Sequence, residues 1–205
     1  MFNIAVIGQL IASRFPRALS GYLLADWDGY LPYDYIRSDT VILADGGGEM
    51  VAGSGPLGWI AAVNCNNLTN LNCNGTDASR IIITGCNSLA YLACTGVGNS
   101  NFTTLDLSTD TALTDIECYN NCLSTLIIPS TNTISTINAS RCQFTQIAVD
   151  NIIIALASNS ITNGNLNINN IVEGLSPCGG SNAIPTANGF YTTLTVTKGW
   201  TVSHN

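Results

Sequence analysis

Residues 60–149 align with themselves at a shift of 21 residues. The shared template is apolar-x-x-apolar-x-apolar, and nine copies follow one another, with three extra residues before Leu113. In a strand, the last two apolar positions point to the same side, while the polar residues between them point outward. A strand this short cannot bury its apolar side alone, but stacked copies form a continuous apolar interior. The repeat therefore predicts a mainly β solenoid with two parallel sheets.

The template also predicts which side chains line the interior. One inward column should contain the residues that align at the centre of the template: Leu71, Leu92, Ile116 and Ile137. Five of the eight cysteines also take inward positions: Cys65, Cys86, Cys73, Cys94 and Cys118. Neighbouring strands lie about 4.8 Å apart with parallel side chains, whereas a disulfide needs sulfurs near about 2 Å and converging bonds. These cysteines should therefore be reduced and packed in the core.

The residues of one repeat resemble the leucine-rich repeat: Leu113-Thr-Asp-Ile116-Glu-Cys118-Tyr-Asn-Asn121-Cys-Leu123-Ser-Thr-Leu126. The chain looks most like the short bacterial variety, in which a cysteine fills the third apolar site. Asn121 stands at the usual Asn position of that family and Cys142 at the same position one turn later, while Thr76 and Val97 replace it in the first two turns. The resemblance covers about 90 of 205 residues. It implies a leucine-rich-repeat solenoid of the kind found in bacterial surface and phage virion proteins.

Residues 1–58 should form an attachment segment in front of the repeats. Residues 17–25, which follow Pro16, are typical of a short helix, and residues 41–44 and 50–52 flank a Gly-rich turn that predicts a hairpin. An aromatic cluster in this segment is either a small core or a docking surface, and we expect it to contribute to attachment: Trp27, Tyr30, Tyr33 and Tyr35.

Residues 59–149 are then the repeat domain, and residues 150–205 should be a carboxyl-terminal cap. Asp150 can cap a helix that runs through Ala157, and such a helix would cover the open end of the solenoid. Residues 165–168 continue as a strand, and residues 194–202 predict a final strand or a helix followed by a strand.

The charge balance excludes one class of partner. The chain has 13 acidic and 6 basic side chains, for a formal charge of −7, so nucleic-acid binding is not expected. No apolar run approaches the about 18 residues that a spanning helix needs, so we expect no membrane insertion. The apolar residues near Met1 lack the preceding positive charge of a signal peptide, which favours folding in the cytoplasm.

Residues suited to catalysis or metal binding are scarce. A zinc site needs about four converging ligands, but the one histidine, His204, lies near the carboxyl terminus, so no metal or cofactor is expected. Asp115 and Glu117 should point outward from a strand into water, where a carboxyl group is a poor general base. Cys178, in a Gly/Ser/Pro loop, is interpreted as an exposed thiol or a turn residue. We therefore expect no enzymatic activity.

The outward side chains predict different roles for the two sheets. One sheet presents polar rows with two tyrosines and two carboxylates, a composition suited to a ligand contact with a glycan or a protein: Tyr91, Asp115, Glu117 and Tyr119. The other presents Ile83 and Ile127, apolar residues without an obvious core to join, which we expect at a contact between subunits. The alternative is that both faces are simply solvated.

These features predict a non-enzymatic structural or recognition protein. Repeats of this bacterial type usually act outside a cell, whereas the sequence favours folding in the cytoplasm. A phage virion component, such as a capsid-decorating, fibre or tail protein, reconciles the two because it leaves the cell by lysis. Its partners would be other virion proteins, further copies of itself and a glycan or host-surface ligand. The alternative is a bacterial protein-binding leucine-rich-repeat module, extracellular or cytoplasmic.

Overall fold

The computed structural model describes residues 59–76, 78–97, 100–169, 178–179 and 181–204, and before them the backbone of three strands. The aromatic cluster predicted for attachment, Trp27, Tyr30, Tyr33 and Tyr35, lies outside the described residues.

Thirteen strands lie in this part of the chain: β1 (Leu23–Asp26), β2 (Thr40–Ala44), β3 (Gly48–Val51), β4 (Trp59–Val63), β5 (Leu68–Asn72), β6 (Arg80–Thr84), β7 (Tyr91–Ala93), β8 (Thr104–Asp106), β9 (Asp115–Glu117), β10 (Thr125–Ile127), β11 (Thr136–Asn138), β12 (Asn165–Asn167) and β13 (Thr201–Ser203). They form a seven-stranded sheet in the order β13-β12-β11-β9-β7-β5-β3, a four-stranded sheet in the order β1-β2-β4-β6, and a two-stranded sheet of β10 and β8. From β2 to β11 the chain alternates between the seven-stranded sheet and the other two, and every pair is parallel. The predicted β-solenoid is confirmed.

The predicted inward column is confirmed in the seven-stranded sheet. Its four members are paired in register on neighbouring strands and have no exposed surface: Leu71, Leu92, Ile116 and Ile137. In backbone register, Met50 pairs with Leu71 on one side, and on the other side Leu166 pairs with Ile137 and Val202 pairs with Leu166. Two further strands therefore follow the repeats on this sheet.

The inward cysteines are buried thiols, as predicted. Burial raises the pKa of Cys73 to about 12, and burial also raises the pKa of Cys94 and of Cys118 well above the ordinary value. Since the reactive form of cysteine is the thiolate, these three side chains are inert core residues. At Cys86, by contrast, a hydrogen bond with Cys65 lowers the pKa.

Asn121 satisfies buried backbone groups at the turn between β9 and β10. Its Nδ2 donates to the carbonyl oxygens of Cys94 at 2.7 Å and Cys118 at 2.9 Å. Its Oδ1 accepts from the amide of Val97 at 2.8 Å. In the first turn, the Thr76 hydroxyl donates in a similar way to a buried carbonyl, 3.0 Å away.

The first two turns of the four-stranded sheet depart from the predicted template, and the expectation that Ile83 is exposed is wrong. Burial alternates along β6, so Ile81 and Ile83 both face the core, and Ile83 is 1% exposed. Cys86 nevertheless points inward as well, because Gly85 adopts a left-handed backbone with φ +68° and shifts the alternation by one residue. Asn64 does the same one turn earlier, with φ 55°.

Two expectations for the amino-terminal segment are also wrong. The sequence favoured a helix through Ala25, but residues 23–26 form β1, which pairs in parallel with β2. The predicted hairpin is absent, because β2 pairs with β4 and β3 pairs with β5 in different sheets. The Gly-rich stretch between β2 and β3 therefore connects two sheets of the solenoid.

Helices follow the last repeat. Helix α1 (Gln146–Ser158) begins one turn earlier than expected, and its N-cap is Thr145, not Asp150, with the Thr145 hydroxyl accepting from the Ala148 amide at 3.2 Å. Helix α2 (Asn188–Thr192) continues into a π-helix (Thr193–Thr197) and then into β13, which confirms the predicted helix and strand. None of the described helices has the length and apolarity needed to cross a bilayer.

A disulfide joins Cys122, at the end of a repeat, to Cys178 in the loop before α2, with the two Cα atoms 5.4 Å apart. The prediction of an unpaired Cys178 is therefore wrong. Inward cysteines on neighbouring strands cannot pair because their side chains run parallel, but Cys122 and Cys178 do not occupy inward positions on neighbouring strands. The bond ties the carboxyl-terminal cap to the repeat domain.

Candidate binding face

The outward surface of the seven-stranded sheet brings together the four residues predicted to bind a ligand. Tyr91 on β7 is directly opposite Asp115 on β9, and Ala93 is opposite Glu117. Tyr119 follows β9 and is 37% exposed. We call this group, Tyr91, Asp115, Glu117 and Tyr119, the tyrosine face.

On three other strands of this sheet, β5, β11 and β12, the outward residue at the end of the strand is an asparagine that shapes the following turn. The Oδ1 atoms of Asn72 and Asn167 each accept from the amide two residues later, at 3.0 and 3.1 Å. Asn138 accepts from the hydroxyl of Ser140 at 3.1 Å and from the Nδ2 of Asn167 at 3.3 Å. These asparagines are structural, because they make local turns of the Asx type and link neighbouring strands.

The asparagine pattern is interrupted at the tyrosine face. On the two middle strands its place is taken by Ala93 and Glu117. Neither side chain supplies an Asx turn, because alanine has no acceptor and the carboxylate of glutamate is one carbon farther from the backbone. Ala93 has no exposed surface although it lies on the outward side, so its larger neighbours cover it. Strands β7 and β9 therefore end without the turn contacts that Asn72, Asn138 and Asn167 make on β5, β11 and β12.

The electrostatics of the tyrosine face couple its members. The pKa of Tyr91 is raised, first by its partial burial, then by the negative charge of Glu117 and a hydrogen bond to that carboxylate. Asp115 and Tyr119 act in the same direction. Tyr91 is therefore a neutral phenol that donates, next to carboxylates that accept. This combination suits hydroxyl, amine or amide groups on a ligand.

No group of three or more metal-ligating side chains lies together in the described part of the chain. The described histidine, His204, contacts Tyr191 with Nε2 and Oη 3.1 Å apart, and both residues lie in the cap. The chemistry available on this face is hydrogen bonding and aromatic contact.

The two residues predicted for a subunit contact are separated by the fold. Ile83 is in the core, whereas Ile127 on β10 is 41% exposed. An open groove of about 550 Å³ lies between β6 and β8, which belong to different sheets. At one end of that groove, Asp110 accepts from the amide of Cys86 at 2.8 Å and Thr109 accepts from the amide of Gly85 at 3.1 Å. Side chains thus replace strand pairing at this point.

Two features of the molecule were missed by sequence reasoning. The repeat template fits Phe144, Ile147 and Val149 and so predicts an inward strand position for Ile147, but Ile147 lies on α1 and is 73% exposed. The Cys122–Cys178 pair had a signal, because both cysteines lie outside the inward positions that the template assigned. A cysteine without a core position in a repeat protein is a candidate for pairing.

Comparison of the chain with protein-family models, with curated proteins and with solved structures finds no match. The parallel-strand solenoid is compatible with a repeat protein, and the leucine-rich repeat stays a resemblance carried by the residues quoted above. The tyrosine face is accordingly interpreted from its own geometry.

Proposed function

We propose that this chain is a non-enzymatic recognition scaffold whose tyrosine face binds a protein or glycan ligand. The supporting observation is the interruption of the structural asparagine pattern at Ala93 and Glu117, next to two tyrosines and a second carboxylate. A flat parallel sheet holds these side chains at fixed spacing, so little conformational entropy is lost when a ligand binds. Tyrosine is also a frequent contributor to binding hot spots.

The leading form of this proposal is a phage virion component, for instance a capsid-decorating, fibre or tail protein. The Cys122–Cys178 disulfide changes one step of that argument, because the sequence alone had favoured a protein without disulfides. Disulfides persist in oxidising surroundings. A virion protein would meet those surroundings after lysis, when this pair at the cap could oxidise while the buried thiols stay protected.

The same disulfide supports the second candidate, a bacterial leucine-rich-repeat module that binds proteins outside the cell. Such a module would acquire the bond during export, since the periplasm and the cell surface are oxidising. The tyrosine face has the same role in both candidates. They differ in whether the protein is part of a virion or a module that a bacterium exports.

Two observations distinguish these candidates. The first is whether capsid and tail genes or a secretion locus flank the gene. The second is mass spectrometry of purified phage particles from a lysogen that carries the gene. A stoichiometric amount of the chain in particles that survive density-gradient purification is the expected result. Its absence from particles, with the chain found free in the medium, would favour the export candidate.

The tyrosine face is tested separately, with an array of bacterial surface glycans and intact bacterial cells as probes. Wild-type protein should bind a subset of these probes, and the double variant Tyr91→Ala/Glu117→Ala should lose about tenfold or more in affinity. Thr136→Ala is the matched control, because Thr136 lies on the same sheet in register with Asp115. Equal loss in the control, or no loss in the double variant, would contradict the assignment of the face.

A further inference from the structure

The tyrosine face holds two carboxylates without a basic side chain beside them. Asp115 and Glu117 are outward residues of β9, separated by the buried Ile116. At the rise of a parallel strand, residues two apart are about 6.6 Å from one another. Among the described outward side chains of β5, β7, β9, β11, β12 and β13, none is basic. Since like charges at this distance repel, the pair is unfavourable in the free protein.

Both carboxylates are held in place but retain acceptor capacity. The Oδ2 of Asp115 accepts from the hydroxyl of Thr114 at 2.6 Å. The carboxylate of Glu117 forms a hydrogen bond with Tyr91. An ionised carboxylate has about four acceptor positions, so one hydrogen bond leaves most of them available. The face can therefore accept donors from a ligand without losing its own contacts.

Charge restricts the ligand that can cover this face. Covering it removes both carboxylates from water, and a desolvated charge is costly unless an opposite charge pairs with it. A neutral or anionic ligand would leave Asp115 and Glu117 uncompensated. The formal charge of −7 on the whole chain also attracts cations and repels anions. A ligand that fits must bring two positive groups about 6.6 Å apart.

An extended polypeptide has this spacing built into its backbone. Its alternate side chains point to one side, with the same two-residue repeat as β9. A segment laid along β9 therefore places residues i and i+2 over Asp115 and Glu117. Residue i+4 reaches Tyr119, which is the next outward residue in this line, after the buried Cys118. Arginine suits the first two positions, because its guanidinium pairs with a carboxylate through two hydrogen bonds and stacks on aromatic rings.

We infer that the tyrosine face binds an extended segment of a partner protein that carries arginine or lysine at alternate positions. The inference rests on the function proposed above and names the ligand class for the same face. Asp115 and Glu117 pair with the two basic side chains, while Tyr91 and Tyr119 contact the segment beside them. The partner is a protein with an exposed basic strand or tail.

The test is an NMR titration of the full chain with two capped peptides of equal composition, Thr-Arg-Thr-Arg-Thr and Thr-Arg-Arg-Thr-Thr. Only the first places both arginines on one side of an extended chain. It should shift the amide resonances of β7 and β9 and bind about fivefold more tightly than the second, because it gains one more exposed ion pair. Raising the salt concentration from about 50 to about 200 mM should weaken its binding.

Two variants with equal changes in net charge locate the contact. Asp115→Asn/Glu117→Gln preserves side-chain size and removes both charges, so its affinity for the first peptide should fall about tenfold. Asp106→Asn/Asp150→Asn is the matched control, because these carboxylates lie on β8 and α1, and its affinity should change less than about twofold. Thermal melting checks that each variant is folded.

Equal affinity for the two peptides overturns the inference, as does a folded Asp115→Asn/Glu117→Gln variant that binds like the wild type. A control variant that loses as much affinity also overturns it. A glucosamine oligosaccharide is the further probe, because it carries amines on a glycan. If it shifts β7 and β9 and the peptides do not, the ligand is a glycan and the inference is wrong. The proposed function then still stands or fails separately, on whether binding of the glycan array and cells depends on Tyr91 and Glu117.

Discussion

At the scale of single residues, buried polar side chains decide how each turn of this solenoid closes. Where strand pairing ends, backbone amides and carbonyls are still buried and need partners. Asn121 supplies three such bonds in the repeats. Asn182, in the loop after the Cys122–Cys178 bond, makes an equivalent set two turns farther along, although it lies outside the repeats. A residue of the cap thus completes the last turn.

Replacing Asn121 with alanine should destabilise the protein strongly. The substitution removes the partner of the Val97 amide and of the Cys94 carbonyl, and it leaves the Cys118 carbonyl only the weak thiol donor of Cys142; each buried group left unsatisfied costs about 1–3 kcal/mol. We expect a loss of about 3–5 kcal/mol in the free energy of unfolding, measured by urea titration. Asn87→Ala is the control, because Asn87 is exposed and bonds to Asn66 at the surface, so its loss should stay within about 0.5 kcal/mol. Similar losses in both variants would contradict the role of Asn121.

Two aspartates should give opposite dependences of stability on pH. Burial raises the pKa of Asp110 in the folded state. Burial acts in the same direction at Asp150, but hydrogen bonds from Thr186, Ala187 and Gln146 outweigh it and lower the pKa of that carboxyl. The contribution of Asp110 to the free energy of unfolding is therefore fully present below its unfolded pKa of about 3.9, and it is lost as pH rises through its folded-state pKa. The contribution of Asp150 to the free energy of unfolding is present above about pH 3.9, and it is lost as pH falls through its folded-state pKa.

Urea unfolding of Asp110→Asn and Asp150→Asn between about pH 3 and pH 7 checks these signs. Relative to wild type, Asp110→Asn should gain stability as pH rises, and Asp150→Asn should lose it. The asparagine at position 110 retains an acceptor for the Cys86 amide, so the variant isolates the charge. Parallel pH profiles for both variants would show that the two carboxylates are not perturbed in opposite directions.

The residue template predicts burial well where the backbone is regular and fails where it is not. In the seven-stranded sheet, Leu71 and Ile116 are buried as predicted because nothing interrupts the alternation before them. At Ile83 the prediction fails because a left-handed residue follows the strand. Gly85 was a visible signal, since glycine adopts that conformation readily, but Asn64 has the same backbone without being glycine. Similarly, the repeat predicts which residues of the tyrosine face lie in register. It does not predict that Ala93 is buried, because that burial depends on the size of the neighbouring side chains.

At the scale of elements, the same apolar spacing produces a strand in one place and a helix in another. Residues 144–149 fit the template, yet the chain enters α1 at Gln146; Phe144, before the helix, and Ala148 and Val149, within it, are buried. Short apolar patterns of this length do not distinguish the two periods. Two features favour the helix. The hydroxyl of Thr145 caps its amino terminus, and the apolar run up to Leu156 gives the helix a face to bury. The orientation of Ile147 follows from that choice.

The Cys122–Cys178 disulfide should hold the cap on the solenoid. It closes a loop with a sequence separation of 56 residues, for which the chain-entropy relation gives roughly 4 kcal/mol. Cys178→Ser should lower the free energy of unfolding by up to about that amount, measured by denaturant titration without reductant. Reductant should destabilise wild type to a similar degree and leave Cys178→Ser unchanged, because the remaining described cysteines are already thiols. A wild type that is insensitive to reductant under these conditions would contradict the bond.

At the scale of the whole molecule, a solenoid has two ends at which strand edges would otherwise be open. Unpaired edges are templates for aggregation, so repeat proteins cover them. At the carboxyl end, α1 lies beside β10, while β12 and β13 extend the seven-stranded sheet. At the amino end, β1 and β2 extend the four-stranded sheet beyond β4, and β3 extends the seven-stranded sheet beyond β5. The amino-terminal segment therefore contributes to the fold as well as to any attachment.

Deleting residues 1–58 should expose the edges of β4 and β5 together, because β2 and β3 are their described partners on that side. If residues 1–58 served attachment alone, as the sequence predicted, the truncated chain would stay soluble but lose assembly. From the strand order we instead expect concentration-dependent aggregation and a lower melting temperature, measured by light scattering and calorimetry. Deleting residues 1–22, which retains all described strands, is the matched control and should melt like the full chain. If the shorter truncation aggregates too, the edge explanation fails. If the longer one stays monomeric with an unchanged melting temperature, the first three strands are dispensable and the segment is free to serve attachment alone.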